Sequence, residues 1–342
     1  MRKIDIAPLT QWITAAALAH PHDLAAHLEE TLALSRRGVA ALLARLQASS
    51  WLARDGTPRR PQWRPGALRQ VVKTYPLEGL LEDLPWRQDF VPFFELPANV
   101  RRLAQHAFTE LVNNAIDHSG GTQVTVSMRQ TAAHLQLIVS DDGLGLFQRI
   151  EQSFAISEPK LAMLEIAKGR LTSQPDRHCG QGLVLTAQLA DIFDLRANAA
   201  GFQRRAWSQA QWHGLQPAAA QADRPGTSIF LAIALDTTRT LDEVQRSRCA
   251  GAGSYAFDEA HVPLHLLTDD GVALASRADA KRVASRLAEF RRAEIDFAGI
   301  DEIGHAFAHE LFGVFQRTHP GVELVPVAAS ARVAAMLNAV RA

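Results

Sequence analysis

The residues best suited to chemistry lie in ELVNNAIDHSGG, a segment that starts at Glu110. Glu110 and Asn114 are four residues apart, so in a helix they share one face. An amide oxygen is a good Mg²⁺ ligand beside a triphosphate, because this ion takes oxygen ligands and keeps several waters. A carboxylate one turn away can accept a proton from water or from a hydroxyl nucleophile. The spacing therefore predicts Asn114 as a metal ligand and Glu110 as a catalytic residue.

Two motifs that contain glycine follow along the chain. The first, DDGLG, begins at Asp141 directly after an apolar strand, where a carboxylate can accept a hydrogen bond from the adenine amino group. Its glycines, Gly143 and Gly145, let the backbone approach the base. The second, HCGQGL, places Gly180 and Gly182 at the start of a helix, where backbone amides bind phosphates. Each motif is weak alone, but their order on helix, strand end and helix start predicts a nucleotide site.

Together these motifs resemble those of the GHKL superfamily, which contains gyrase-type ATPases, histidine kinases and anti-sigma serine kinases. The resemblance implies a Bergerat fold, with helices on one face of a mixed sheet, and it implies ATP and Mg²⁺ as ligands. Glu110 and Asn114 match the N-box, and Thr227 in PGTSI matches the threonine that begins the final strand. The ATP-binding residues expected from the resemblance are Asn114, Asp117, His118, Asp141, Gly143, Gly145, Lys168, Gly180, Gln181, Gly182, Leu183 and Thr227.

The loop between the two glycine motifs corresponds to the ATP lid of this superfamily. It carries Lys160, Lys168, Arg170 and Arg177, and any of these cations can reach a phosphate. For each of them singly, a solvated charged loop is an equally good interpretation. His178 can also touch phosphate, although a histidine in a loop is more often incidental.

The carboxylate of Glu110 bears on the type of reaction. Histidine kinases usually carry an amide at this position, whereas hydrolytic members and anti-sigma serine kinases carry a carboxylate, so hydrolysis or transfer to a hydroxyl is favoured. A histidine kinase also needs a phospho-acceptor helix before the ATP domain, and residues 67–96 contain no histidine. His309-Glu310-Leu311 resembles the start of such an acceptor motif, but it follows the ATP domain and is interpreted as a chance pair.

The first 70 residues resemble a winged helix-turn-helix. Ser35 is a predicted N-cap, apolar residues recur at helical spacing after it, and Ser35–Gln47 is the predicted recognition helix. The segment ARDGTPRRPQWRPG suits a β-turn or wing. Ten basic and five acidic residues give this part a net charge of +5, which favours DNA binding. A small helical dimerisation module is the alternative. The predicted DNA-binding residues are Arg36, Arg37, Arg45, Arg59 and Arg60.

The C-terminal segment resembles a STAS-like domain through EIDFAGIDEIGHAFAHELFGVF. True STAS domains hold a phosphorylatable serine in the strand-loop-helix after the Asp-aliphatic-Ser/Ala-Gly stretch, whereas this chain has Gly304-His305-Ala306 there. A protein-interaction or regulatory module without the serine switch is therefore predicted. Asp301, His305 and His309 invite a metal site, but a polar first helical turn is more common and no fourth ligand is evident.

The elements that must position these residues alternate between helix and strand. A long helix is predicted from Ala98 to Ser119, and period-2 alternation then predicts the strands TQVTVSM and HLQLIVS. Residues 146–179 are predicted to be irregular, and the strands DLRANAA, RRAWSQAQW and TSIFLAIAL close the domain. Residues 71–94 are predicted to be a connector, helical at first and broken by prolines. From residue 256 onward strands and helices alternate, which is an α/β signature.

Composition limits the class of protein. The 342 residues exceed one ordinary core, and the 47% hydrophobic and 21% charged residues are typical of a globular protein. The formal net charge is zero, so the chain as a whole is not a polyanion binder. Two cysteines without CxxC spacing indicate a reducing compartment. No apolar run is long enough for a signal peptide or a membrane span. We therefore expect a cytoplasmic location and no membrane contact.

The combined prediction is a multidomain α/β protein with an all-α/winged-helix N-terminal domain, a Bergerat α/β sandwich in the middle and a small STAS-like α/β domain at the C-terminus. The predicted boundaries are 1–70 for the winged helix, 71–94 for the connector, 95–236 for the ATP-binding domain, 237–255 for a linker and 256–342 for the STAS-like domain. The predicted function is an ATP-dependent regulator that couples Mg·ATP binding to DNA binding and to recognition of a protein partner. An anti-sigma-type protein serine/threonine kinase and a non-catalytic nucleotide sensor or scaffold are the alternatives, and a homodimer is left open.

Overall fold

The computed structural model describes the chain as two compact units. The first unit comprises Met1–Gly143 and Ser228–Thr238, and the second comprises Leu144–Thr227 and Arg239–Ala342. The residues that the structure describes are 5–57, 60–171, 180–208, 212–215, 224–246, 258–268 and 274–341. Among them, no helix combines the length and the apolar character needed to cross a membrane.

The first unit begins with a group of short helices and a β-hairpin. The helices are α1 (Ala7–Thr10), α2 (Ile13–Ala19), α3 (Leu24–Leu32) and α4 (Arg36–Ala48), and the antiparallel strands of the hairpin are β1 (Leu52–Thr57) and β2 (Arg60–Pro65). The predicted N-cap is confirmed, because the Ser35 side chain accepts a hydrogen bond from the amide of Gly38 at 3.3 Å. The predicted apolar stripe of α4 is buried in a core that also contains Trp51 and Trp63. This core fixes which face of α4 points outward.

A strand occupies residues 69–76, which corrects the prediction of a connector that is helical at first. This strand, β3 (Arg69–Pro76), pairs antiparallel with β4 (Gln123–Gln130), so that Val71 lies opposite Met128. Its Val, Thr and Tyr side chains suit a pleated surface, and pairing with a neighbouring strand decides the conformation of such a segment. Helical turns follow it, namely α5 (Asp83–Pro85), a π turn (Trp86–Phe90) and a 3-10 turn (Val91–Phe93).

The long predicted helix is confirmed as α6 (Ala98–His118). It packs on β5 (His134–Asp141), and its buried face includes Leu103, Ala107, Phe108, Leu111 and Ala115. The strand order in this unit is β3-β4-β5-β9, in which β9 spans Thr227–Ala234 and each neighbouring pair is antiparallel. The alternation predicted for β4 is confirmed by its alternating burial. The helix and the end of β5 thereby present the N-box and the first glycine motif.

The described residues in the first half of the second unit form helices and three strands. Two of the helices, α7 (Leu146–Phe154) and α8 (Pro159–Lys168), correct the prediction of an irregular stretch at 146–179, of which residues 172–179 lie outside the described part. Residues 162–168 of α8 are all buried, so the helix has little polar face and its sequence shows no amphipathic period. The helix predicted from about Leu183 to Ile192 is confirmed as α9 (Gly182–Leu189), but it ends at Leu189 and Ile192 already belongs to a strand.

The three strands of this half are β6 (Ile192–Ala197), β7 (Ala200–Arg205) and β8 (Trp212–Leu215), antiparallel in that order. The structure divides the predicted strand DLRANAA, because Asn198 and Ala199 form a turn. Both turn residues have left-handed φ values, 50° and 61°. Two consecutive residues of positive φ are typical of the tight turns that match the twist of a hairpin.

The second half of the second unit is a three-stranded parallel sheet with helices, which we call the C-terminal α/β part (258–341). Its strands are β10 (Glu259–Pro263), β11 (Arg292–Asp296) and β12 (Glu323–Val327), in that order. Its helices are α11 (Arg277–Ala284), α12 (His305–Ala308), a π turn (His309–Phe315), α13 (Gln316–Thr318) and α14 (Ala331–Arg341), and α10 (Leu241–Arg246) precedes it. Strand and helix alternate as predicted. The predicted strand near 272 lies partly outside the described residues, and Leu274 forms a parallel bridge with Ile303.

Candidate functional site

The N-box residues lie along one accessible face of α6. Glu110, Asn114, Asp117 and His118 are all partly exposed, whereas the adjacent apolar face of the helix, which includes Leu111 and Ala115, is buried. The helix thereby carries a carboxylate and an amide one turn apart on the same accessible face. An amide oxygen and a carboxylate at this spacing fit a hydrated Mg²⁺ and an acceptor for a proton, respectively.

His106 lies one helical turn before Glu110 and was not among the residues selected from motif patterns. Its Nε2 atom is buried and has no hydrogen-bond partner among the described residues. Burial lowers the pKa of His106, and the negative charge of Glu110 acts in the opposite direction. A neutral imidazole therefore lies beside the candidate catalytic carboxylate. The spacing of four residues in HAFTE is the signal by which the sequence shows it.

The end of α6 lies directly against the first glycine motif. A Cβ atom on Gly143 would be 2.2 Å from the carbonyl oxygen of Ser119, and one on Gly121 would be 2.8 Å from the amide nitrogen of Gly143. Only glycine fits at such backbone approaches. Because these contacts join the helix terminus to the loop after β5, the N-box and residues 141–143 of the first glycine motif occupy one end of the first unit.

The side chain of Asp142 stabilises this junction between the end of α6 and the loop after β5. Its carboxylate accepts hydrogen bonds from the amide and the hydroxyl of Thr122, both at 2.7 Å, and from the amide of Gln123 at 2.9 Å. These hydrogen bonds, led by that of the Thr122 hydroxyl, lower the pKa of Asp142. The preceding Asp141 ends β5 and accepts from the amide of Gly143 at 3.0 Å. The two adjacent aspartates therefore have different surroundings, a distinction that the sequence DDG does not show.

The second unit holds Gly145, where only glycine fits. Its φ is 87°, and a Cβ atom there would lie 2.4 Å from Oδ1 of Asn198. The Asn198 side chain donates to the carbonyl of Leu144 at 2.7 Å and accepts from the amide of Gln148 at 3.1 Å. Asn198 thus fixes the start of α7 from the turn between β6 and β7. No motif in the sequence indicates this role.

The second glycine motif precedes and begins α9. Gly180 has a φ of 68°, and Gln181, Gly182 and Leu183 are partly exposed at the start of the helix. The amide of Leu185 donates to the carbonyl of Gln181, which is the first hydrogen bond of the helix. The amides before Leu185 have no acceptor within the helix, as is general at a helix N-terminus. Thr227 begins β9, as predicted, and it is partly exposed.

Lys168 is not available to a phosphate, which corrects the prediction made for it. Its side chain is only 1% exposed, and Nζ donates to Oε1 of Glu165 at 2.5 Å and to the carbonyl of Ser285 at 2.7 Å. Burial lowers the pKa of Lys168 and raises that of Glu165, while their mutual attraction opposes both shifts. Lys160 is partly exposed. Arg177 and His178 lie outside the described residues.

The residues expected to contact DNA differ in exposure. Arg36 and Arg37 are exposed at the start of α4, Arg60 is exposed on β2, and Arg45 is partly buried. Arg59 lies outside the described residues. In the C-terminal α/β part, the rings of His305 and His309 stack with centroids 6.0 Å apart. Across the described parts of the chain, no group of three or more His, Cys, Asp or Glu side chains is arranged to hold a metal ion.

Comparison with known families gives two matches, each to part of the chain. Residues 99–210 match the family of histidine kinase-, DNA gyrase B-, and HSP90-like ATPases. Residues 279–334 match a family described as a STAS-like domain of unknown function. A search of curated proteins gives no match to the chain. The first match implies ATP binding in a GHKL-type domain, and the second gives residues 279–334 a STAS-like character.

Proposed function

We propose that this chain is an ATP-dependent regulatory protein, in which Mg·ATP bound by the GHKL-type domain controls binding to DNA and to a protein partner. The close packing of Gly143 against Ser119 carries the nucleotide part of the proposal. It joins the loop after Asp141 to the end of the helix that bears Asn114. Strand end and helix end are thereby fixed together by backbone contacts, which is what a site that reads a base and a metal-bound phosphate requires.

The motif residues take separate roles in this proposal. Asn114 supplies an oxygen ligand to Mg²⁺, which neutralises phosphate charge when it is bound. Asp141 accepts from the adenine amino group. Glu110 accepts a proton from water or from a hydroxyl group, and burial keeps the adjacent His106 neutral by lowering its pKa. The amides at Gly180 and Gly182 bind phosphate oxygens.

Titration calorimetry with Mg²⁺ and a non-hydrolysable ATP analogue tests the nucleotide assignment. We expect Asp141→Ala to abolish measurable binding, because the group that reads the base is lost. Asn114→Ala should weaken binding in Mg²⁺ far more than binding in EDTA. Gln105→Ala, an exposed change on the opposite side of α6, is the matched control and should bind as wild type does. Undiminished binding by Asp141→Ala would falsify the central assignment.

Turnover is tested with Glu110→Gln, which keeps the shape of the side chain and removes its basicity. We expect this variant to bind ATP with nearly unchanged affinity and to lose phosphate release, because a proton acceptor contributes roughly 10²–10⁴-fold to rate. Release of phosphate at the wild-type rate would contradict the role given to Glu110. Transfer of labelled phosphate to a protein hydroxyl in place of water would identify the chain as a serine/threonine kinase.

The exposed arginines of α4 support the DNA-binding part of the proposal. Arg36 and Arg37 point away from the core that buries Val39 and Leu42, and the first 70 residues carry a net charge of +5. Basic side chains on an outward helix face suit phosphate and base contacts. Gel shifts with a random pool of DNA duplexes, with and without Mg·ATP, test this part.

We expect the Arg36→Ala/Arg37→Ala double variant to bind the pool about ten-fold more weakly and with a shallower salt dependence. A complex with fewer phosphate contacts releases fewer counterions from the DNA when it forms. Arg101→Ala is the matched control, an exposed arginine on α6 outside the helical group. Equal DNA affinity of the wild-type chain with and without Mg·ATP would contradict control of DNA binding by nucleotide.

A further inference from the structure

Arg170, just after α8, forms hydrogen bonds both with the second glycine motif and with the C-terminal α/β part. Its amide donates to the carbonyl of Gly180 at 3.1 Å. Its guanidinium donates to the carbonyl of Glu289 and, at 3.2 Å, to the carboxylate of Asp258. The same guanidinium lies 4.9 Å from the ring centroid of Phe290. Arg170 therefore links a candidate phosphate-binding segment to a separate part of the same unit.

The partners of Arg170 lie just before β10 and β11, where hydrogen bonds and packing hold them. The carbonyl of Asp258 accepts from the amides of Arg291, at 2.9 Å, and Arg292, at 3.1 Å. Phe290 is buried, with 4% exposure, in the core of the C-terminal α/β part. Leu164 of α8 belongs to that same core. The side chain of Arg170 thus contacts residues at the N-terminal ends of β10 and β11, and the helix before it packs in the core of the same sheet.

The backbone of Arg170 is also constrained. Its φ is 75°, in the left-handed region that is unfavourable for a residue with a Cβ atom. Arg286, whose φ is 61°, donates to the carbonyl of Arg170 at 3.2 Å and forms an ion pair with Glu289 at 3.1 Å. Such conformations persist where surrounding contacts fix them, and they are frequent at ligand-binding segments.

Gly180 is packed directly on this constrained residue. A Cβ atom on Gly180 would lie 2.6 Å from the carbonyl carbon of Arg170 and 2.7 Å from the amide nitrogen of Leu171. Because the two backbones are in contact, a shift of Arg170 displaces Gly180. The amides that follow Gly180 are those assigned to phosphate binding. The position of Arg170 therefore affects the direction in which these N–H groups point.

We propose that Arg170 is a positioning residue through which the C-terminal α/β part sets the conformation of the second glycine motif, and thereby the affinity for ATP. This inference rests on the proposed ATP-binding function. Coupling between two sites is reciprocal. A protein partner that rearranges the segment around Asp258 and Glu289 therefore changes ATP affinity, and ATP changes the affinity for that partner by the same factor.

Substitution of Asp258 distinguishes this positioning role from direct phosphate binding by Arg170. If Arg170 positions Gly180, removal of the carboxylate at Asp258 loosens Arg170 and lowers ATP affinity. If Arg170 binds phosphate itself, removal of that competing carboxylate leaves ATP affinity unchanged or raises it. The two roles thus predict opposite results for the same variant.

The experiment measures binding of a Mg²⁺-bound, non-hydrolysable ATP analogue by calorimetry, well below the melting temperature of each variant. We expect Arg170→Ala to lower affinity about ten-fold and Asp258→Ala to lower it several-fold, within the range of common coupling energies. The double variant should bind no more weakly than Arg170→Ala, because both changes remove the same link. Arg277→Ala and Asp301→Ala, two exposed changes in the C-terminal α/β part, are the controls.

Two further variants separate anchoring from folding. Arg170→Lys keeps a cation for Asp258 and Phe290 and should retain most of the affinity. Arg170→Gly accepts a φ of 75° without strain but loses the anchor, so it should be folded and bind as weakly as Arg170→Ala. Wild-type affinity in Arg170→Ala, or unchanged or raised affinity in Asp258→Ala, overturns the positioning role. A wild-type chain that binds no nucleotide overturns the proposed function itself, and this inference with it.

Discussion

Glu165 and Lys168 form an ion pair on α8 with side chains that are only 6% and 1% exposed. The ammonium group also donates to the carbonyl of Ser285, which lies 117 residues further along the chain. The pair therefore belongs to the packing between α8 and the C-terminal α/β part. A charge that the sequence presents as a lid cation is used to hold two parts of one unit together.

Removal of one partner of this pair should destabilise the protein strongly. Glu165→Ala leaves the Lys168 ammonium buried without its carboxylate, and we expect a loss of about 3–5 kcal/mol in the free energy of unfolding. The double variant Glu165→Leu/Lys168→Met replaces both charges by apolar groups and should be close to wild type. Urea unfolding of the full chain measures both, with the exposed Glu151→Ala as control. A single variant as stable as wild type would show that the pair is not needed.

The junction at Asp142 should make stability depend on acidic pH. The pKa of Asp142 is lower in the folded state, so its hydrogen bonds to Thr122 and Gln123 contribute fully above the unfolded value near 3.8. That contribution is lost as pH falls through the folded pKa, because protonation removes the charge that accepts the bonds. Asp142→Asn should therefore be less stable than wild type at pH 7, and the difference should shrink below pH ~4.

Urea unfolding between pH 3 and pH 7 measures this difference. Asp301→Asn, an exposed aspartate in another part of the chain, should show the same pH dependence as wild type. A gap between wild type and Asp142→Asn that stays constant with pH would contradict the lowered pKa.

His106 should contribute a loss of stability at mildly acidic pH. Burial lowers its pKa from the ordinary value of 6.5, so below that pH the unfolded chain binds a proton that the folded chain does not. The free energy of unfolding should therefore fall more steeply from pH 7 to pH 5 in wild type than in His106→Gln. One proton limits the difference to about 1.4 kcal/mol per pH unit.

The exposed His22→Gln is the matched control for this titration and should keep the wild-type slope. Identical slopes for wild type and His106→Gln would show that His106 titrates alike in both states. The same variants, assayed for ATP turnover, report whether a neutral side chain beside Glu110 matters to the reaction.

Gly143→Ala should disturb both folding and nucleotide binding. The added Cβ atom meets the backbone carbonyl of Ser119 at 2.2 Å, and neither backbone can yield without moving the end of α6 or the loop after β5. Overpacking of this kind costs about 1–3 kcal/mol. Gly321→Ala is the matched control, because nothing lies within 4 Å of the added atom there. Thermal unfolding and ATP-analogue binding of the two variants would settle the point, and wild-type behaviour of Gly143→Ala would refute the close packing.

Several features follow from local sequence alone. The helix that carries Glu110 and Asn114, the N-cap at Ser35 and the alternation of β4 are confirmed, because helical and strand periodicity depend on neighbouring residues. Gly145 and Gly180 have the positive φ values for which glycine is suited, and this requirement is also local. The sequence thereby determined the local conformation of the segments to which we assign nucleotide binding.

Other features depend on partners that are distant in sequence, and only the tertiary structure decided them. Residues 69–76 form a strand because β4 pairs with them. The sequence of α8 lacks an amphipathic pattern because residues 162–168 are all buried by other parts of the chain. Lys168 is buried because the carboxylate of Glu165 and the carbonyl of Ser285 accept hydrogen bonds from its ammonium group. The physical reason is common to all three cases: strand pairing, burial and desolvation are set by long-range neighbours, which residue type and spacing do not reveal.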